Sequence, residues 1–173
     1  MLGTTNNPSE SANVNLTDLE KTKFSIGLSL FEVGAYAQAY RAFSELSSKP
    51  DASIQFNLAL CHILSEDYQN AVLLLEKALR FVSAIQKDLP SDNIHRKLRN
   101  LDKSTESYKA AFSPELPVVF PQYAKECIRR CLIDAYSKLE AWEKVRSTAA
   151  ALGDKGFLNV DTALSTADLR GGN

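Results

Sequence analysis

The sequence predicts an all-α fold of stacked helix pairs, and two observations carry that prediction. The chain matches itself at an offset of 32 residues: Phe24-Ser-Ile-Gly-Leu-Ser-Leu-Phe31 with Phe56-Asn-Leu-Ala-Leu-Cys-His-Ile63, and Gly34-Ala-Tyr-Ala-Gln-Ala39 with Glu66-Asp-Tyr-Gln-Asn-Ala71. A period in this range belongs to helix-turn-helix units that bury an apolar face only by stacking on one another. Within each unit the apolar residues recur at three- and four-residue steps, the spacing of one helical face.

Each element has a local cause. Met1 to Asn15 is rich in Ser, Asn and Thr, without the basic and apolar regions of a signal or transit peptide, and reads with Leu16 as a disordered arm over 1–16. Thr17 and Glu20 form a capping box that opens a first helix at about 18–33, which Gly34 stops. Tyr36, Ala39, Tyr40, Phe43 and Leu46 predict a second helix over about 36–47, with Pro50 as the next break. A third helix is expected over about 52–65. The fourth starts near Tyr68, with Ala71, Leu75, Ala78, Leu79 and Val82 on one stripe. Loops this short force antiparallel neighbours.

After Val82 the period fails, because the next comparable turn, at Trp142, lies 74 positions beyond Tyr68 rather than 32. About 42 residues are inserted. Within them, Ile94, Leu98, Leu101, Tyr108 and Phe112 predict a helix over about 92–112 with a narrow apolar seam, and Pro114, Pro117 and Pro121 predict an extended stretch from Ser113 to Phe120. The third pair is expected at about 122–139 and 141–152, with Ala124, Ile128, Leu132, Ala135, Tyr136 and Leu139 facing Trp142, Val145, Ala149 and Leu152. Gly153 ends it. Phe157 to Leu169 predicts a short capping helix with Asp161 as N-cap, before a tail that frays from Arg170. The units are thus repeats at about 20–51, 52–85 and 126–153 within a domain over 17–153, an insert over about 86–121, and a cap and tail over 154–173.

The small-residue, aromatic and alanine signature of Gly27, Gly34, Tyr36, Ala39 and Phe43, echoed in Ala59, Tyr68, Ala71, Leu75 and Ala78, resembles the tetratricopeptide repeat. The third unit departs from it, with Ile133, Trp142 and Val145 where a small residue, tyrosine and alanine are the rule. The resemblance implies a short right-handed solenoid whose first helices line a groove that binds peptides or helices of other proteins. It does not extend to the basic clamp one subclass uses to hold acidic C-termini. Only Asn57 falls on a clamp position, while Phe24, Leu28, Cys127 and Cys131 replace the rest.

Composition excludes several other functions. With 20 basic and 21 acidic side chains, charge gives no general pull toward nucleic acid or anionic lipid. Apolar runs are too short for a membrane span. Three cysteines, Cys61, Cys127 and Cys131, do not make a disulfide framework and suit a reducing cytoplasm. Cys127 and Cys131 share a helix face, but no second pair completes a zinc site. His62 and His95 fall in no catalytic frame, with His62 expected to pack between helices, and there is no phosphate-binding glycine loop. No enzyme activity, cofactor or metal is expected.

The residues that point to function are an apolar excess. Ile26, Leu30 and Val33 suffice to pack the first helix on its partner, yet Phe24, Leu28 and Phe31 form a second stripe, repeated by Phe56, Leu60 and Ile63. In the tetratricopeptide arrangement these line the groove with Asn57, and the third unit adds the polar Arg130, Asp134 and Ser137. A patch this large exceeds what a monomer leaves in water. Three occupants stay open: a partner's helix or extended segment, the inserted helix folded back, and a second copy. The sequence therefore predicts a cytoplasmic, non-catalytic protein-binding scaffold, an adaptor or assembly factor, with a secretion chaperone as a specific form. The rival class is a nucleic-acid-binding accessory protein acting through Arg96, Lys97, Arg99 and Lys103.

Overall fold

The computed structural model describes residues 16–83, 102–153 and 156–170, and among these there is no strand. Eight α-helices follow in order: α1 (Asp18–Glu32), α2 (Tyr36–Ser44), α3 (Ala52–Leu64), α4 (Tyr68–Ser83), α5 (Leu116–Val119), α6 (Pro121–Lys138), α7 (Trp142–Leu152) and α8 (Leu158–Arg170). The starts of α1 and α3 lie where the local signals put them, while α2 stops at Ser44, short of the expected 47. Thr17 accepts from the Glu20 N–H at 3.3 Å while the Glu20 carboxylate accepts from the Thr17 N–H at 2.9 Å. The Lys49 ammonium at 2.8 Å, together with that amide, holds the Glu20 carboxyl below its usual range. Asp51 caps α3 by accepting from the Ile54 N–H at 3.0 Å.

The repeat is visible bond by bond at its turns. Gly34, Glu66 and Glu140 adopt the left-handed region, with φ of 79°, 60° and 55°. The next amide in each turn donates back across the helix end, Ala35 to Leu30 at 2.8 Å, Asp67 to His62 at 2.9 Å and Ala141 to Tyr136 at 2.9 Å. The long insertion leaves this turn unchanged. It joins α1 to α2, α3 to α4 and α6 to α7, and each pair packs on the next through α2 on α3 and α4 on α6. At the far end α8 lies across α6 and α7.

Two apolar clusters fill the interior. The first gathers Leu16, Phe24, Ala39, Phe43 and Leu46 with Ile54, Leu58 and Cys61 of α3; the second runs from Phe56 and Leu60 of α3 through α4, α6 and α7 to α8. Ten consecutive residues of α3, Ala52–Cys61, are therefore buried. Ala71, Leu75, Ala78 and Val82 of α4 are fully buried on the predicted stripe.

The first pair packs on a different face from the one its sequence suggests. Ile26 and Val33, expected between the helices, are 50% and 77% exposed. Phe24 instead meets Phe43 edge to face at 5.5 Å, and Phe31 meets Tyr36 at 5.1 Å, so both belong to the contact with α2. Gly27 is the cause. A Cβ there would lie 2.6 Å from the Phe43 ring, so glycine alone lets that ring rest on the α1 backbone and sets which side α2 occupies. We expect Gly27→Ala to lower stability: overpacking costs about 1–3 kcal/mol, against a gain of roughly 1 kcal/mol in helix propensity. A rise in the denaturation midpoint would show that the ring is free to move.

Other expectations change after α4. The predicted helix over 92–112 lies outside the described residues up to 101, and from Lys103 it is not helical. There the chain turns, forms a single 3-10 turn at Ser107–Lys109 and is extended at Ala110. Between Ser113 and Phe120, expected to be extended, α5 forms one helical turn, with Pro117 in the first turn, where a missing N–H costs nothing. Pro121 opens α6 as expected. Leu139 is exposed rather than packed on α7. Asp161 is not an N-cap, because α8 begins at Leu158, whose N–H finds a tertiary acceptor in the Lys103 carbonyl at 3.0 Å. Leu16, counted with the arm, is buried in the first cluster, and Arg170, expected to fray, closes α8; the rest of the arm over 1–15, residues 171–173 and the basic residues Arg96, Lys97 and Arg99 lie outside the described residues.

Candidate functional site

The face expected to be a groove is built by α3 and α6, and the chain's own residues 102–113 lie along it. On α3, Phe56 and Asn57 are adjacent and point to this face. The Phe112 ring stacks on Phe56, with centroids 3.7 Å apart and planes inclined by 15°. Asn57 holds the Phe112 main chain from both sides: its amide donates to the Phe112 carbonyl at 2.9 Å, and its oxygen accepts from the Phe112 N–H at 2.7 Å. One turn earlier, the Ser53 hydroxyl donates to the Ser113 carbonyl at 2.8 Å. Extended backbone leaves its polar groups without partners, and these side chains supply them inside the protein.

Arg130 of α6 anchors the other end. It is 1% exposed. Its guanidinium donates to the Asp102 carboxylate at 3.0 Å and to the carbonyls of Asp102 and Thr105, each at 3.2 Å, while its Nε donates to Asn159 of α8 at 2.9 Å. Tyr108 and Phe157 flank the cation at 3.8 and 4.4 Å from their ring centroids. Arg130 thus takes two carbonyls, those of Asp102 and Thr105, that a helix running on over 102–109 would use for itself. Four residues on, Asp134 accepts from the Tyr108 hydroxyl and from Asn159 at 2.9 Å, and pairs with Lys109 at 3.2 Å. Burial, with the Asp134 charge beside it, pushes the Tyr108 hydroxyl far above its usual pKa.

The predicted site residues thus divide into three sets. Phe24 is buried inside the first pair. Phe56, Asn57, Leu60, Arg130 and Asp134 do come together on one face, but Phe56, Asn57 and Arg130 hold the chain's own segment and Leu60 is buried in the second cluster. Leu28, Phe31 and Ile63 remain half-buried, Leu28 against the first cluster, Ile63 against the second and Phe31 against both. The sequence reading missed Asp102, Phe112, Tyr108 and Asn159. Tyr108 and Phe112 stood out only as an apolar seam, and nothing local marks Asp102 or Asn159.

The thiols and the histidine have structural partners. Burial raises Cys61 to about 11, Cys127 to about 12 and Cys131 well above the ordinary thiol value. The Cys131 thiol donates to the Tyr108 carbonyl at 3.8 Å. His62 meets Tyr40 edge to face at 5.4 Å, with its Nδ1 2.9 Å from the Asp67 carboxylate. Among the described residues no group of three or more histidine, cysteine or acidic side chains is placed to hold a metal ion. All three thiols should stay unreactive toward a colorimetric disulfide reagent at pH 8 and react together on unfolding, since the thiolate is the nucleophile. Rapid labelling of the native protein would contradict their burial.

No helix among the described residues is long and apolar enough to cross a membrane. No family model matches the chain, and no curated protein or solved structure matches it.

Proposed function

We propose that this chain is a non-catalytic scaffold of tetratricopeptide type that holds an apolar peptide or helix of another protein. The observation that carries the reading is the hold of Phe56 and Asn57 on Phe112. A stacked ring with paired main-chain hydrogen bonds is a mode by which proteins bind extended peptides, and it is largely independent of the guest's sequence. Here the guest over the second and third pairs is internal. Leu28, Phe31 and Ile63 continue the apolar surface beyond it and stay half-exposed, which leaves that end for a partner. The recurring turn at Gly34, Glu66 and Glu140 supports the solenoid reading, and the buried, protonated thiols favour a role without nucleophilic chemistry.

The test is affinity capture from native lysate with the immobilised protein and with a Leu28→Glu/Ile63→Glu variant, each washed at low and high salt. The expected result is a protein retained through the salt wash by the parent and lost from the variant, with helicity unchanged by circular dichroism. Retention of nucleic acid released by salt would replace this reading with an electrostatic one.

A further inference from the structure

Residues 102–113 are held by equivalent positions of two repeats. The offset of 74 carries Phe56 to Arg130 and Asn57 to Cys131, so these residues correspond on α3 and α6. At the first position each helix takes one aromatic ring of the segment: Phe112 stacks on Phe56, and Tyr108 lies over the Arg130 guanidinium. At the second position each helix takes the main chain of that same aromatic residue. Asn57 holds the N–H and the carbonyl of Phe112, and the Cys131 thiol donates to the carbonyl of Tyr108. Each helix pair thus reads one aromatic residue, and Tyr108 and Phe112 are four positions apart.

A bound peptide is held in the same way. Main-chain contacts ask nothing of the guest's sequence, and two pockets a fixed number of residues apart ask for two side chains. The segment is also not what joins the second pair to the third, since α4 packs directly on both α3 and α6. Its outer side, Ser104 to Ser107, is exposed, so a competing chain can approach it from solvent. The two pockets differ in what they demand. Phe56 offers a flat apolar face, whereas Asp134 accepts from the Tyr108 hydroxyl, a donor that phenylalanine lacks.

Resting on the reading above that this scaffold binds peptides, we infer that Tyr108 and Phe112 are an internal stand-in that closes the α3 and α6 face, and that an extended segment of a partner protein with the pattern Tyr-x-x-x-Phe displaces residues 108–113 from it. The partner's tyrosine takes the place on Arg130 and Asp134, and its phenylalanine the place on Phe56 and Asn57. A phosphorylated tyrosine does not fit, because its charge would meet the Asp134 carboxylate.

The probe is a fluorescent synthetic peptide copying residues 102–115, titrated into the full chain by anisotropy while hydrogen exchange of the chain is followed by mass spectrometry. Binding should saturate, and at saturation the chain's own residues 108–113 should exchange faster while α4 and α7 keep their protection. Tyr108→Phe in the chain keeps the ring and removes only the internal guest's bond to the Asp134 carboxylate, so it should tighten the peptide about tenfold. The same change in the peptide should weaken it by about as much, and a phosphotyrosine in its place should abolish binding. Absence of binding, or binding that leaves exchange of 108–113 unchanged, would overturn the inference and make the segment a fixed part of the core. So would a dimer of the parent that the peptide dissociates in sedimentation, which would make a second copy's segment the occupant. The Leu28→Glu/Ile63→Glu variant should bind the peptide as the parent does, so failed capture from lysate and failed exchange of the segment are separate results. Loss of the peptide from that variant would place it at the open end instead and overturn the inference.

Discussion

Replacing Arg130 with methionine should destabilise the protein by about 3–5 kcal/mol, the range for removing one partner of a buried ion pair. Methionine fills much of the same space between the Tyr108 and Phe157 rings. It leaves the Asp102 carboxylate, whose side chain is 10% exposed, without the cation 3.0 Å away, and strips the Asp102 and Thr105 carbonyls of a donor. Arg130→Lys should recover only part, because an ammonium cannot reach three acceptors and Asn159 from one plane. Urea denaturation followed by circular dichroism reads the loss, and limited proteolysis should place new cleavage between 102 and 113. The double variant Arg130→Met/Asp102→Leu should regain stability over Arg130→Met alone, since an uncompensated carboxylate costs more than an apolar pair. An unchanged midpoint in Arg130→Met would mean that the segment is held by Phe112 alone.

Phe112→Ala should cost about as much, roughly 3–5 kcal/mol, by emptying the space beneath a stacked and fully buried ring. Asn57→Ala tests the same contact from the other side. It keeps the ring but orphans the Phe112 N–H and carbonyl, each at about 1–3 kcal/mol. Because the two residues hold one segment, the double variant should lose less than the two single losses together, and that shortfall is the measurement. Full additivity would show that ring and main chain are held independently. Phe112→Ala should also raise binding of a synthetic peptide copying residues 107–115, since it vacates the space beneath the ring, whereas Asn57→Ala should not, since it removes the groups that hold the guest's main chain. The first outcome concerns stability and the second recognition, so the pair separates a packing role from a peptide-binding one.

These two experiments address the part of the molecule that the sequence described least well. Helix ends are local: Thr17 with Glu20, Gly34, Pro121 and Gly153 each act within one turn, and all stand where their chemistry places them. The apolar stripe of α4 is local too, a period of 3.6 written along one segment. From such signals the all-α class, the three helix pairs and the insertion between the second and third were legible before any coordinate. The placing of Asn57, Arg130 and Asp134 on one face came instead from the resemblance to the tetratricopeptide repeat.

What periodicity leaves open is which neighbour each apolar face meets. Phe24 and Ile26 sit on a helix that is apolar on two sides, and only the approach of Phe43 to Gly27 decides that Phe24 is buried while Ile26 is half bare. The course of residues 102–113 depends still more on distance along the chain, since its partners are Asn57, 55 positions before Phe112, and Arg130, 28 positions after Asp102. Proline spacing and an apolar seam describe the preferences of that segment alone. A buried guanidinium that claims two of its carbonyls outweighs them, because a hydrogen-bonded charge inside the protein is worth more than the helix propensity of a few residues.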